Sequence, residues 1–361
     1  MRFAFVTHGP IEKVSGNNLY NRKLVDHLRA QGHTVEVVPV PKRRFRERLL
    51  DNFSAPLLQQ LAAGEFDLIL QDSAVHASFA WLNLQIKKHT KAPIITIVHH
   101  LRSKEDWGLL RRLVFRRVEK DYFKTVDRFI FNSETTKKAV HQMIGEAKPY
   151  EVGYPAADHY QEDLEAFTTI RDSRSGKLKM IFVGSIIERK GLDVLLMALK
   201  QVPAGKWELD IVGDPTVDRK YVEKLHKFVE EIPRLRTAIN FLGPLSQRDL
   251  AIRYSINHVL VVPSTYDGFG NVYLEGMGFG LPAVATSAGA ASEIITHLEN
   301  GLLLSVNDPN TLARAIKLLI NDRKFLAEMS ENALQTYEKF PTWAETCTKV
   351  EAFLLEIAGD R

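Results

Sequence analysis

The 361 residues contain a single cysteine, Cys347, so no internal disulfide can form and the chain suits a reducing cytoplasm. No apolar run approaches the ~20 residues that a membrane span needs. The opening Met-Arg-Phe-Ala-Phe-Val reads as a strand, too short and too soon interrupted to be a signal peptide. Neither charge sign dominates: 48 Lys and Arg against 44 Asp and Glu leave +4, too small a surplus to imply nucleic acid. Internal repeats and low-complexity tracts are missing, and no cluster of metal-ligating side chains stands out. After the first apolar run there is no G-x-G-x-x-G. His8-Gly9-Pro10 and Ser15-Gly16-Asn17 do not supply one, which argues against a nicotinamide enzyme.

What is present is ordinary globular composition, 45% apolar and 25% charged, on a chain long enough for two cores. Apolar runs alternate with helical patterns throughout, the signature of parallel sheets with crossover helices. Arg2–Thr7 reads as the first strand, followed by a loop, a helix over Leu19–Gln31 ended by Gly32, and a strand at Thr34–Val40. Phe66–Leu70, Pro93–Val98 and Arg128–Phe131 continue the first sheet, which the chain leaves near Tyr150–Tyr154. Pro155–Lys177 is polar and without period, a connection. A second series of strands then begins at Leu178–Val183. The expected architecture is α/β with two Rossmann-like domains. The first covers 1–155 and is joined by a C-terminal helix in 341–361. A linker over 156–177 leads to the second domain, 178–340.

The most informative stretch is Pro263–Thr286, PSTYDGFGNVYLEGMGFGLPAVAT. It reads as a strand end, a glycine-rich loop, a short helix from about Asn271, a Gly-Leu-Pro turn and another strand. Gly268 and Gly270 permit close backbone approach. The free N–H groups at the helix start, at Gly270, Asn271 and Val272, form an anion site. Glu275, beside that anion, can accept two hydrogen bonds from a vicinal diol. A diphosphate on the amides and a ribose on Glu275 describe a nucleoside diphosphate. A plain strand–turn–helix with a solvated acid fits the same spacing.

Asp267 and Glu275, seven residues apart and followed by GMGFGLPAVAT, resemble the E-x7-E signature of retaining family 4 glycosyltransferases of GT-B fold. Several separated motifs follow the family order over nearly the whole chain. The resemblance implies that Glu275 holds the donor ribose and that Asp267, an aspartate where the family has a glutamate, contacts the donor sugar. Gly16 becomes the candidate for close approach to the donor phosphates. Phe182–Gly191 resembles the family phosphate loop, with Gly184 as its first glycine and Lys190 as its lysine. Ser185 stands where the family has an arginine, and Arg189 is the neighbouring cation. His99, ending the strand before Leu101, matches the family histidine beside the donor sugar, with His100 as the alternative. The implied catalytic set is His99, Lys190 and Asp267. The implied mechanism is metal-independent and cofactor-free, with a nucleoside-diphosphate sugar as donor substrate and the donor phosphate deprotonating the acceptor on the same face.

Inverting transferases, sugar-nucleotide epimerases and a sugar-nucleotide-binding protein without turnover remain alternatives. Two basic stretches, Lys42–Arg48 and Arg111–Arg117, lie in the first domain, which binds the acceptor in that family. They suggest an anionic membrane surface, a peripheral enzyme on the cytoplasmic face, and a lipid-linked or soluble saccharide acceptor.

Overall fold

The computed structural model describes residues 1–11, 16–105, 107–166 and 176–359, in two compact units: Met1–Pro155 with Pro341–Arg361, and Ala156–Phe340.

The first unit carries β1 (Arg2–His8), β2 (Thr34–Val40), β3 (Leu68–Asp72), β4 (Ile94–Val98), β5 (Arg128–Phe131) and β6 (Tyr150–Val152). They form one parallel sheet in the order β2-β1-β3-β4-β5-β6. Strands covered on both faces lose the polar alternation of a half-exposed sheet, and every residue of β4 is buried. β3 begins and ends two residues later than the apolar run suggests. Asp67 holds Arg2 from below, its carboxylate accepting from the Arg2 amide at 2.7 Å. The polar pair Gln71 and Asp72 is then drawn into the strand and buried. Asp72 tolerates burial because it accepts from Asn21 Nδ2 (2.7 Å) and the Ala74 amide (2.8 Å).

The helix Gly16–Ala30 follows β1, so Gly16 is its first residue, while Ser15 lies outside the described residues. The last helix, Trp343–Gly359, belongs to this unit as well. Thr342 and Glu345 form a reciprocal cap at its start, and Trp343 meets Tyr20 edge-on at 5.5 Å.

The second unit carries β7 (Leu178–Val183), β8 (Trp207–Val212), β9 (Ile239–Gly243), β10 (Val259–Val262), β11 (Ala283–Thr286) and β12 (Gly301–Leu304). Their order, β12-β11-β10-β7-β8-β9, again all parallel, is that of a doubly wound nucleotide-binding sheet. The polar stretch after Pro155 is more than a connection. Asp158–Tyr160 forms a tight turn and Gln161–Ala166 a helix. Tyr160 packs into the second unit against Tyr254 and Phe279, at 6.1 and 5.6 Å between rings. Its aromatic anchor sits in a polar run, so no hydrophobic period announces it. Residues 167–175 of that stretch lie outside the described residues.

Candidate functional site

In a doubly wound sheet the strand order reverses at one point, and ligands collect at the carboxyl ends of the strands there. In the second unit that point lies between β7 and β10, which pair directly through Met180–Val259 and Ile181–Leu260. The loops leaving them, 184–191 and 263–270, are therefore neighbours. The Thr265 amide donates to the Arg189 carbonyl at 2.8 Å. Gly191 lies at φ +69°, and a Cβ there would stand 2.3 Å from the Pro263 carbonyl oxygen, so only glycine allows the approach.

The two loops meet through charge. Lys190 Nζ donates to both oxygens of Asp267, at 2.9 and 3.0 Å. Arg189 donates to Asp267 Oδ1 at 2.6 Å and also to the Tyr266 carbonyl. The stem of Lys190 runs past Gly184, whose backbone at φ +149° is one that residues with a side chain rarely adopt. Burial alone would push the Asp267 carboxyl up, but Lys190 and Arg189 override it and hold the carboxyl well below its usual range. Burial lowers the Lys190 ammonium, and Asp267 opposes that shift. The result is a largely enclosed cluster of two cations and one anion. Its net positive charge suits an incoming anion.

Beyond Asp267 the chain turns through Gly270 at φ +92° into the helix Asn271–Gly278. Tyr273 fixes the helix to the sheet by donating its hydroxyl to the Val262 carbonyl at 2.9 Å. The first amides, those of Asn271 and Val272, have no acceptor within the helix because an α-helix leaves its first N–H groups unused. Glu275, in the second turn, accepts from Tyr254 Oη at 3.1 Å and has His159 Nε2 at 3.9 Å. Burial raises its carboxyl to about 7, against the pull of Tyr254 and Lys190. Gly184, Arg189, Lys190, Asp267, Gly270, Asn271, Val272 and Glu275 thus lie on the two loops and one helix at this carboxyl edge. Tyr254 and His159 are additions that sequence spacing does not signal, since they come from a different helix and from the turn after Ala157. Among the described residues no group of three His, Cys, Asp or Glu is placed to hold a metal ion.

Gly16 and His99 belong to the first unit. His99 is buried after β4, and its Nε2 donates to Asn21 Oδ1 at 2.8 Å, while Asn21 donates onward to Asp72. Burial lowers its pKa, so the ring is a neutral member of a buried relay. His100, its neighbour, pairs with Glu105 at 2.8 Å. The two basic stretches lie on the helix Phe45–Leu50 with the residues before it, and on the start of the helix Leu109–Thr125. Phe45 and Phe115 bring those helices together, ring to ring, at 4.7 Å. No helix among the described residues is long and apolar enough to cross a membrane.

Comparison with known proteins agrees with this architecture. The family model "Glycosyltransferase Family 4" matches residues 14–160, and "Glycosyl transferases group 1" matches residues 165–336. An uncharacterized glycosyltransferase of Methanocaldococcus jannaschii is 34% identical over 167 residues, 46% of this chain and 44% of that relative, so the match spans less than half the relative's length. Among solved structures, a sucrose-phosphate synthase from Thermosynechococcus elongatus superposes with TM-score 0.82 at 21% identity, covering all of both chains. HepE of Anabaena, solved in complex with UDP-glucose, superposes with TM-score 0.79 at 20% identity, covering 99% of this chain and all of that one. With both halves matched and the sheets arranged as in these neighbours, the chain belongs to glycosyltransferase family 4, the glycosyl transferases group 1, with the GT-B fold.

Proposed function

We propose that this protein transfers a sugar from a nucleoside-diphosphate sugar to a saccharide or lipid-linked acceptor, with retention of anomeric configuration. The observation that carries the reading is the Arg189–Lys190–Asp267 cluster between β7 and β10, with Glu275 one helical segment further on. A diphosphate entering this cluster competes with Asp267 for the two cations. Asp267, released in part, becomes an acceptor for donor-sugar hydroxyls. Glu275, ionised, accepts from a ribose diol, and the Asn271 and Val272 amides face the phosphates. As the glycosidic bond breaks, negative charge grows on the departing diphosphate, and a fixed ammonium in a dry site stabilises that charge more in the transition state than before it.

Lys190 and Arg189 supply positive charge of the kind a metal would bring, so turnover is expected without one. Both Asp267 oxygens are held by cations, which disfavours that carboxylate as a covalent nucleophile. The reading is therefore attack on the face the leaving group departs from, with a diphosphate oxygen taking the acceptor proton. The UDP-glucose bound by HepE supports a uridine nucleotide as the first donor to try. The exposed arginines of both basic stretches support attachment to an anionic membrane on the cytoplasmic face.

The test is a panel of nucleoside-diphosphate sugars screened by thermal shift and then by turnover, with the anomer of the product read by NMR. Stabilisation and a product of unchanged anomer are expected. An inverted product, or binding without hydrolysis or transfer to any of a broad set of acceptors, would overturn the reading.

A further inference from the structure

His159 stands beside Glu275 without touching it, its Nε2 3.9 Å from Oε1. That gap is too wide for a direct hydrogen bond, but a single oxygen placed in it lies within about 2.8 Å of both atoms. The other carboxylate oxygen, Oε2, is already held by the Tyr254 hydroxyl at 3.1 Å. The carboxylate is therefore fixed from one side and faces an imidazole on the other. The His159 and Glu275 side chains remain 11% and 12% exposed, so the pair sits at the edge of the packed interior rather than within it.

The position of His159 is built, although it lies on the polar stretch after Pro155. Gln247 Nε2 donates to the His159 carbonyl at 2.8 Å and to Asp163 Oδ2 at 3.2 Å. The imidazole lies against the Tyr160 ring, with 4.4 Å between centroids. Tyr160 in turn packs edge-on against Tyr254 and Phe279, which stack on each other at 5.4 Å. Gln247 and Tyr254 belong to one helix, Gln247–Ile256, and Phe279 directly follows the helix that carries Glu275. The elements that orient the carboxylate thus orient the imidazole as well. Two polar groups held at a fixed spacing lose little freedom when a ligand joins them.

We propose that His159 is a donor-binding residue, its Nε2–H donating to a ribose hydroxyl that in turn donates to Glu275 Oε1. This rests on the nucleoside-diphosphate reading of the site and adds to it a selectivity for ribose. A hydroxyl both accepts and donates, so it satisfies the imidazole and the carboxylate at once. A hydrogen in its place satisfies neither. The Tyr254 hydroxyl takes one lone pair of Oε2 and leaves another for the second hydroxyl of the diol. A nucleotide without the bridging hydroxyl is therefore rejected by His159 and Glu275 together.

The test titrates UDP, GDP and ADP, each beside its 2′-deoxy and 3′-deoxy forms, against the full chain by calorimetry. The diphosphate that binds most tightly should lose roughly tenfold or more in affinity when the bridging hydroxyl is removed. His159→Ala should weaken binding of that ribonucleotide about tenfold and leave binding of its bridging-deoxy form unchanged. His159→Gln, whose amide can donate into the same gap, should recover part of the loss. A histidine that only supports the fold would weaken the ribose and deoxy forms alike. Equal losses for the two forms, or wild-type affinities in His159→Ala, would overturn the proposal. Glu275→Gln separates the two readings. Weaker binding in that variant with none in His159→Ala rejects His159 alone, whereas failure of every diphosphate to bind the wild type removes the donor reading and the proposal with it.

Discussion

Lys190 Nζ sits within 3.0 Å of both carboxylate oxygens of Asp267, although 77 residues separate them in the chain. The pairing shields the aspartate and keeps the lysine charged in a largely enclosed position. Lys190→Ala should therefore weaken nucleoside-diphosphate binding by about 2 kcal/mol, roughly thirtyfold, because a charge-assisted contact to phosphate is lost. Turnover should fall further, since the same charge acts on the leaving group. Ser185→Ala, in an exposed turn position, should do much less. Isothermal titration and single-turnover rates on both variants check the order, and the reverse order would remove Lys190 from its role.

Donor affinity should depend on pH through Glu275. Its carboxyl titrates near 7 in the folded protein against an ordinary 4.5, because burial disfavours the charged form. Only the carboxylate can accept from both hydroxyls of a diol. Affinity for the nucleoside diphosphate should thus fall as pH drops below about 7, by up to tenfold per unit. Glu275→Gln should bind about 1–3 kcal/mol more weakly at pH 8 and lose most of this dependence. Titrations at pH 6, 7 and 8 decide. Parallel curves for the two proteins would take the carboxylate out of the site.

The strands and the two glycine-bearing loops were legible in the sequence because their cause is local. Val259–Val262 is an unbroken apolar run stopped by Pro263, and the Gly270 turn starts a helix at Asn271, where the sequence placed it. The partners of Asp267 were not legible. Which loop faces which depends on β10 lying beside β7 while two strands intervene in the chain, and that is decided by crossovers rather than by any local pattern. Tyr254 and His159 reach Glu275 by the same non-local route. His99 shows a different limit. Its place at a strand end was readable, but its hydrogen bond to Asn21, a residue on the helix after β1, was not.

That bond makes two separable predictions for His99. Removing the ring leaves Asn21 Oδ1 unpaired and opens space beside Tyr20, which meets the ring edge-on at 5.1 Å. His99→Ala should cost about 2–4 kcal/mol of stability by urea unfolding. His99→Gln, able to donate to the same oxygen, should recover much of that. If His99 also serves the donor sugar, His99→Gln will transfer more slowly with nucleotide affinity intact. Unchanged transfer in a stable His99→Gln protein would leave the residue a structural role alone, and an unchanged unfolding curve for His99→Ala would refute the relay.

Glu119 offers a stability test. It is buried in the helix Leu109–Thr125 and accepts from the Arg102 amide at 2.6 Å and the Ser103 amide at 3.3 and 3.4 Å. Burial raises its carboxyl to about 7, the amides opposing. A folded pKa above the unfolded 4.5 means that the contribution is fully present below 4.5 and is lost as pH rises through 7. The buried imidazoles His8 and His76 act oppositely, their stabilisation growing as pH rises from about 4 towards 6.5. The difference between wild type and Glu119→Gln isolates the carboxyl. Wild-type stability relative to the variant should decline by about 2–3 kcal/mol between pH 5 and 8. A constant difference in thermal and urea melts across that range would show that Glu119 is not perturbed.

The last prediction concerns the exposed start of the helix Leu109–Thr125. Phe115, Val118, Glu119 and Tyr122 face inward, but Gly108 to Val114 is exposed on every side, with Leu110 79% exposed. In helical projection Leu109, Leu110, Leu113 and Val114 fall on one arc that is distinct from the buried face. Arg117 lies within that arc, its guanidinium drawn to Asp121 at 2.9 Å, and Arg116 borders it. Phe53, 80% exposed, and Leu50 add bulk on the neighbouring segment that Phe45 joins to this helix. Exposed leucines alone would suit another protein equally well. The surrounding arginines favour an anionic bilayer, where each contributes on the order of 1 kcal/mol and the leucines enter the headgroup boundary. Salt should then weaken binding only in part, since it screens the arginines and leaves the apolar term. Co-sedimentation with vesicles containing anionic lipid should be strong at low salt, reduced at high salt and slight with neutral lipid. Leu110→Glu with Leu113→Glu should abolish it without lowering nucleoside-diphosphate affinity, because neither side chain packs on the core. Binding that ignores lipid charge would refute the electrostatic half of the argument. Binding unaffected by the double variant would refute the insertion, and no binding at low salt would leave the acceptor a soluble saccharide.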